Sequence, residues 1–243
     1  MIRLIIMEKA NAMAQLHIKL LYEDEDILVI DKPAGLLSVP DGYNSSLPSL
    51  ATVLGPLYPR VWMVHRLDYE TSGIMVFALN AAAHRELNRQ FRERLTAKTY
   101  QCLAAPTPAW AECQMNEPLR VDADREHRTR VDFTRGKPAE TQAVVLGSCV
   151  DFAWLSCAIG TGYRHQIRAH LYHHELSILG DALYHQKTQP ASLPVAPRMM
   201  LHAYRLAFQH PRDGRALTLQ APLPPEFEPF LSALSSRATD AGS

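Results

Sequence analysis

The chain has 243 residues, 47% of them hydrophobic, which is enough for one sizeable core or for one large domain with a minor lobe. Its 25 Lys and Arg residues balance its 25 Asp and Glu residues, so a strongly basic nucleic-acid binder is disfavoured, while local basic patches remain compatible with RNA. The four cysteines form no CxxC pair and no apolar run is long enough for a membrane span, which predicts a cytoplasmic protein that does not enter the membrane.

The first part of the chain is predicted to form strands and helices after an irregular N-terminal extension. Residues 1–16 are predicted to be an irregular extension. The elements predicted after it are two short strands within 20–30, a short helix within 47–57, a buried strand at 74–79 and a helix over 81–94. Asn80 is a suitable N-cap for this last helix. One face of that helix carries Arg85, Arg89 and Arg92, which are either solvated or in contact with phosphates.

The second part of the chain is predicted to be rich in strands. The predicted elements are a strand at 98–104, a polar loop or exposed hairpin at 120–137, paired strands at 141–146 and 153–159, a helix over 163–170, and strands at 200–208 and 216–220. Strands and helices do not alternate as a doubly wound parallel sheet requires. We therefore predict an α+β fold with a large, mostly antiparallel sheet and flanking helices, in a single domain over 17–230, followed by a frayed tail at 231–243.

The stretch HRLDYETSG at residues 65–73 contains the first candidate for chemistry. Asp68 precedes a turn-forming Thr-Ser-Gly sequence and an apolar strand. Its carboxylate either acts as a nucleophile or base in a cleft, or caps the turn by accepting from the amide of Thr71 or Ser72. Arg66 either forms a structural ion pair or enters nucleic acid, where a guanidinium stacks and donates hydrogen bonds.

A second group of polar residues follows Gly160 and Gly162. On the helix predicted there, Arg168 suits a bidentate pair with a buried carboxylate from elsewhere in the chain. The nearby histidines are His165, His170, His173 and His174. They match no HExxH pattern and have no cysteine pair beside them, so we predict that they bind no metal. Tyr100, in an apolar strand, is either a core residue or a ring that packs against a flipped base.

Together these blocks resemble the RluA-type pseudouridine synthases, from about Leu20 to Phe227. The stretch at 65–73 matches the HRLDxxTSG signature of that family. The other matching blocks, in order, are Asp31–Leu36, Lys98–Tyr100, Gly136–Thr141, Thr161–His170, Leu179–Asp181 with Tyr184, Leu201–Ala203 and Ala221–Pro224. One position departs from the family, because Tyr163 stands where an arginine is usual and Arg164 follows it. The short build is most similar to members that modify both the tRNA anticodon stem-loop and large-subunit rRNA.

This resemblance implies an RNA-modifying enzyme that isomerises uridine to pseudouridine in a central RNA-binding cleft. It implies Asp68, Tyr100 and Arg168 as catalytic residues, with Arg168 holding Asp68 ionised and oriented. The substrate-binding residues that it implies are His65, Arg66, Thr71, Lys98, Arg164, His165, Gln166, Leu201 and His202. It further implies structured rRNA or tRNA as partner, no cofactor, no metal and a monomeric protein.

Three other classes of function compete with this interpretation. A non-catalytic RNA-binding module of the same fold would keep the basic patches but would not need Asp68, Tyr100 and Arg168 together. A glycosidase would need a second carboxyl group, and Glu70 is the nearest candidate in the sequence. A metal hydrolase would have to use the histidines at 165–174, and chelators would then abolish its activity.

Overall fold

The structure is a computed structural model that describes residues 13–41, 47–185 and 195–240, with the backbone alone over 235–240. The chain divides into two compact units, and the single domain predicted over 17–230 stays a prediction. The first unit contains Met1–Ala97 and Ala203–Pro222, and the second contains Lys98–His202 and Leu223–Ser243. Most of the predicted extension at 1–16 lies outside the described residues, and Met13 at its end is buried. No described helix has the length and apolar character needed to span a membrane.

The secondary structure begins with two strands and a short helix, as predicted. In chain order the elements are β1 (Lys19–Glu23), β2 (Ile27–Lys32), α1 (Leu50–Leu54), β3 (Trp62–Met63), β4 (Ser72–Ala78), α2 (Ala81–Arg92), β5 (Ala97–Ala105), β6 (Glu112–Met115), β7 (Leu119–Arg120), β8 (Arg130–Val131), β9 (Thr141–Ser148), β10 (Ala153–Ile159), α3 (Gln166–His173), β11 (Ser177–Ile178), β12 (Leu201–Gln209), β13 (Ala216–Gln220), a 3-10 turn (Pro225–Phe227) and α4 (Glu228–Asp240).

In the described part of the chain, eleven strands belong to one sheet, and β7 and β8 pair with each other. The sheet has the order β1-β2-β4-β12-β5-β10-β9-β6, with β3 on β4, β13 on β12 and β11 on β5. Every strand pair with a described register is antiparallel. The predicted large, mostly antiparallel sheet is therefore confirmed, and residues 120–137 contain most of the hairpin that was one of the two predictions for them.

In the first unit, strands β2 and β4 form the buried centre, and helix α2 packs its apolar face inward. All residues of both strands are buried, and Ala83 and Leu87 of the helix are buried with them. The side chain of Asn80 accepts from the amide of Ala83 at 2.9 Å, which confirms the predicted N-cap. The helix ends at Arg92 because Arg94 adopts a left-handed conformation with φ of 58°.

The core of the second unit lies between strands β5, β9 and β10 and the helices α3 and α4. Phe152 and Phe230 meet edge to face there, with ring centroids 5.8 Å apart. Helix α4 runs from Glu228 to Asp240, so the structure has a helix over most of the segment predicted as a frayed tail. The buried side chain of Phe230 explains this difference, because it packs the start of the helix against the core.

Candidate active site

Asp68 lies in a tight turn that leads directly into strand β4. The amide of Thr71 donates to the main-chain carbonyl of Asp68 at 3.1 Å, so the turn is closed through the backbone. Leu67 and Thr71 on either side are buried, while Asp68 is half-buried. Gly73 has φ of 117°, and a Cβ at this position would overlap the carbonyl of Ala203. A glycine is therefore required where β4 approaches β12.

Two residues that precede Asp68 in the chain hold the backbone on both sides of it. The fully buried ammonium of Lys32 donates to the carbonyls of Leu36 at 2.8 Å, Pro33 at 2.9 Å and Tyr69 at 3.3 Å. The hydroxyl of Ser38 donates to the carbonyl of Leu67 at 2.7 Å and accepts from its amide at 3.1 Å. Because Leu67 and Tyr69 are the immediate neighbours of Asp68, these bonds fix the position of the turn.

His65 and Arg66, both predicted to bind substrate, have different surroundings. The Nε2 atom of His65 accepts from the amide of Val76 at 3.1 Å, and its ring stacks on Phe91 with centroids 4.6 Å apart. These contacts tie the start of the HRLDYETSG stretch to strand β4 and helix α2. Arg66 is exposed to solvent, next to the turn that contains Asp68.

In the second unit, Arg168 forms a buried bidentate ion pair with Asp181. Its Nε donates to Oδ2 at 2.7 Å and its Nη2 donates to Oδ1 at 2.8 Å. The prediction that Arg168 pairs with a buried carboxylate from elsewhere in the chain is thereby confirmed. The more specific expectation is that Arg168 holds Asp68. These residues belong to different units, and the expectation stays a prediction.

Tyr184 supports this pair from a second direction. The guanidinium carbon of Arg168 lies 4.8 Å from the centroid of the Tyr184 ring, within the range of a cation–π contact. The hydroxyl of Tyr184 accepts from the amide of Thr129 at 2.6 Å and donates to its carbonyl at 3.0 Å. Burial raises the pKa of this hydroxyl to about 12, so it stays protonated at neutral pH.

Gln166, predicted to contact substrate, uses its whole amide within the protein. Its Oε1 accepts from the Thr161 hydroxyl at 2.7 Å and from the Tyr163 amide at 3.1 Å. Its Nε2 donates to the carbonyl of Glu140 at 2.7 Å and to the hydroxyl of Thr141 at 3.0 Å. These four bonds use the two donors and two acceptor positions that an amide offers, and contact with substrate stays a prediction. Helix α3 begins at Gln166, later than predicted, because His165 before it is left-handed, with φ of 56°.

Arg164 and His165, also predicted to bind substrate, come directly before the start of helix α3. Arg164 pairs with the carboxylate of Asp122 and donates to the carbonyl of His127, both in the loop between β7 and β8. His165 has φ of 56°, and its Nδ1 lies 3.2 Å from the hydroxyl of Tyr184.

The remaining predicted residues lie on the strands β5 and β12. Lys98 donates to the carbonyl of Thr161 at 3.2 Å. Tyr100 is partly buried against the core of the second unit, which matches the core interpretation of this residue and leaves the catalytic one untested. Leu201 and His202 are buried at the start of β12. The rings of His202 and Phe227 meet edge to face, with centroids 6.4 Å apart.

The basic row predicted on helix α2 is partly neutralised by neighbouring acids, and so are two arginines at the β7–β8 hairpin. Arg89 pairs with Glu86 and Glu93 along helix α2. Arg128 and Arg130 both pair with Asp124, whose carboxyl pKa lies well below its usual value because backbone and arginine donors outweigh the opposing effect of burial. A contact between these arginines and phosphate would have to compete with these acids, so the phosphate-binding role stays a prediction.

The histidines at 165–174 do not converge on a common point in the described contacts. His170 is fully buried between the Thr141 hydroxyl at 2.8 Å and the Glu117 carbonyl at 3.0 Å, and His174 lies 3.0 Å from the Glu117 carboxylate. Among the described residues, the group with ligand atoms close enough for a metal is Asp24, Asp26 and His210. Arg212 and Arg215 already pair with these two carboxylates, which makes the group an ion-pair network.

Lys32, Ser38, Asp181, Tyr184 and Thr129 were not predicted to have a role at the site. Lys32, Asp181 and Tyr184 lie in blocks that matched the family, and a charged residue at the end of an apolar strand was a further signal for Lys32. Ser38 and Thr129 are single hydroxyl residues in loops, and nothing in the sequence around them indicates their long-range partners.

Comparison with known proteins agrees with this architecture. The family described as RNA pseudouridylate synthase matches residues 26–173. The dual-specificity RNA pseudouridine synthase RluA of Escherichia coli strain K12 is 39% identical over 217 residues, covering 89% of this chain and 98% of that protein. The enzyme of the same name from Haemophilus influenzae is 36% identical over 84% of this chain and 93% of its own length. The ribosomal large subunit pseudouridine synthase D of Neisseria meningitidis is 32% identical, covering 90% of this chain and 62% of that protein.

A solved structure of human RNA pseudouridylate synthase domain containing 4 has a TM-score of 0.76 and 24% identity, covering 95% of this chain and 97% of that one. Human RNA pseudouridylate synthase domain containing 1 has a TM-score of 0.70, again with 24% identity, and covers 90% of this chain and 94% of that one. These likenesses confirm the predicted fold. Matches to the family and to the full-length bacterial enzymes lead to one conclusion: the chain belongs to the RluA-type RNA pseudouridylate synthases and is an RNA pseudouridine synthase.

Proposed function

We propose that this enzyme converts specific uridines of structured RNA to pseudouridine with Asp68 as its reacting carboxylate. The observation that supports this role most directly is the construction of the turn around Asp68. Hydrogen bonds from the buried residues Lys32 and Ser38 hold Tyr69 and Leu67, while Asp68 between them is half-buried. A half-buried carboxylate on a fixed backbone suits a reaction that depends on orientation.

The reaction breaks the N1–C1′ bond of uridine, turns the base and joins C5 to C1′. C5 loses a proton and N1 gains one, so the overall change is an isomerisation that needs no redox partner. The carboxylate of Asp68 attacks the sugar, deprotonates it or adds to the base, and the choice among these routes is left to experiment. Tyr100 packs against the flipped uracil and assists the loss of the C5 proton. Arg66, which is exposed beside the turn, fills the place that the base vacates.

The proposed substrates are the tRNA anticodon stem-loop and large-subunit rRNA. The names of the relatives support this choice, since one group is called dual-specificity and another acts on the ribosomal large subunit. Loop bases also cost least to flip, because they have few pairing and stacking partners to lose. We further propose that the enzyme is a cytoplasmic monomer without metal or cofactor. Sedimentation of the purified protein tests the monomeric state, and activity in the presence of a chelator tests the absence of a metal.

Nucleotide-resolution mapping of pseudouridine tests the proposed function. Unmodified tRNA and large-subunit rRNA transcripts would be treated with the wild-type enzyme and with Asp68→Asn. Pseudouridine produced by the wild type alone, in both RNA classes, would support the proposal. Equal signal from both proteins would remove Asp68 from its role. RNA binding without pseudouridine from either protein would favour the non-catalytic RNA-binding alternative for these substrates.

A further inference from the structure

We propose that Asp181 is a positioning residue for pseudouridine formation and that it acts through Arg168. The inference rests on the proposed function and on the catalytic role that the family resemblance implies for Arg168, and it adds the carboxylate that directs this arginine. Both side chains are almost fully buried, at 5% exposure for Arg168 and 0% for Asp181. The contact is a double hydrogen bond, so it sets the direction of the guanidinium plane as well as its distance from Asp181.

The carboxylate of Asp181 is itself held by the backbone. Its Oδ1 accepts from the amides of Leu183 and Tyr184, both at 2.9 Å. The backbone of its own turn therefore holds Asp181 independently of Arg168, because it supplies two donors. A carboxylate that is anchored in this way transmits the geometry of the turn to the arginine with little freedom of its own.

The aromatic ring of Tyr184 contacts the guanidinium of Arg168 through the face of the ring. Asp181 binds the same guanidinium along one of its edges. That ring cannot move easily, because its hydroxyl bonds both the amide and the carbonyl of Thr129. Edge and face contacts together define the plane and the rotation of the guanidinium of Arg168. The N–H donors that do not point at Asp181 therefore have defined directions as well.

The charge balance of the pair indicates what Arg168 supplies to the reaction. Arg168 and Asp181 carry opposite charges, with Nε of Arg168 2.7 Å from Oδ2 of Asp181, so the pair is neutral as a whole. A lysine at position 168 would keep the charge but would lose the planar fork that matches a carboxylate. We therefore expect orientation of donors, more than net positive charge, to be the contribution that Asp181 protects.

A cycle of three variants tests the proposal by single-turnover rates and RNA affinities on one stem-loop RNA. Asp181→Asn should lower the rate of pseudouridine formation roughly 10- to 100-fold while RNA affinity stays within about twofold, because misplacement of a catalytic group by about 1 Å has costs of this size. Arg168→Ala should lower the rate at least as much. The double variant should match Arg168→Ala, since Asp181 has nothing left to position.

Two further variants keep the test decisive if Asp181→Asn folds poorly. Asp181→Glu retains the charge and should recover part of the lost rate. Asp26→Asn is the matched control, since it removes a buried carboxylate paired with Arg212 in the first unit, and it should leave the rate unchanged. Additive losses in the cycle, or a wild-type rate in both Asp181 variants, would overturn the proposal. A wild-type rate in Arg168→Ala would instead refute the proposed role of Arg168, and an inactive wild type would refute the proposed function.

Discussion

Replacing Lys32 by methionine should destabilise the protein and slow its reaction, because this substitution removes the buried ammonium beside the Asp68 turn. The carbonyl of Leu36 is buried and loses its charged donor, which costs about 1–3 kcal/mol. The carbonyl of Tyr69 keeps the amide of Gly35 at 2.9 Å, and the contact to Pro33 is only partly buried. Methionine also avoids the cost of burying a charge, so the net loss of unfolding free energy should be about 2 kcal/mol.

This loss corresponds to a fall in Tm of about 4–8 °C, given about 2–4 °C per kcal/mol for a chain of this size. The rate of pseudouridine formation should fall about tenfold or more below the new Tm, because Tyr69 adjoins Asp68. Calorimetry and single-turnover assays would be run beside Lys19→Met, which removes an exposed lysine of strand β1 and should change neither quantity. An unchanged Tm for Lys32→Met, or a lower Tm with an unchanged rate in the folded protein, would refute the reasoning.

Three further predictions concern the backbone and the buried polar groups. Gly73→Ala should reduce the unfolding free energy by about 4 kcal/mol or more in chemical denaturation, because the added Cβ overlaps the backbone of Ala203. Gly214 also has positive φ but has open space around it, so Gly214→Ala should reduce the unfolding free energy by only about 1–2 kcal/mol. Gln166→Leu should lose about 2–4 kcal/mol by the same measurement and keep wild-type RNA affinity once folded; lost affinity at unchanged stability would contradict its structural role. Tyr184 has a folded pKa of about 12, above its usual value of 10.0, so the stability from its protonated hydroxyl is complete below pH 10 and disappears as the pH rises towards 12. Between these pH values the wild type should lose on the order of 2–3 kcal/mol more stability than Tyr184→Phe, and parallel stability curves would exclude this effect.

The longer strands and the main helix were predictable because their signals are local, whereas the short strands β3, β6 and β11 were not predicted. Alternating or continuous apolar residues identified β2, β4, β9 and β10, and an asparagine cap identified the start of helix α2. Division into two units was not predictable, since it depends on which contacts are numerous in three dimensions. The helix at Glu228–Asp240 was missed because its small and polar residues resemble a tail, and only the burial of Phe230 shows that its start is anchored.

At the candidate site, residue types were predictable and their partners were not. Arg168 was expected to pair with a buried carboxylate, but no local pattern indicates that this partner is Asp181. Gln166 lies in a block that matches the family, which suggested contact with substrate, yet its four hydrogen bonds are all internal. Polar residues that build a site and polar residues that react look alike in sequence, because both need fixed hydrogen bonds in place of solvent.

The most direct test of the account measures the products formed from one anticodon stem-loop RNA with enzyme in excess. Digestion and nucleoside chromatography would quantify pseudouridine, and the supernatant would be assayed for free uracil. Wild type and Glu70→Gln should both form pseudouridine without free uracil, while Asp68→Asn should form neither and still bind the RNA. Pseudouridine from Asp68→Asn at the wild-type rate would contradict the central claim, and release of free uracil that depends on Glu70 would indicate a glycosidase instead.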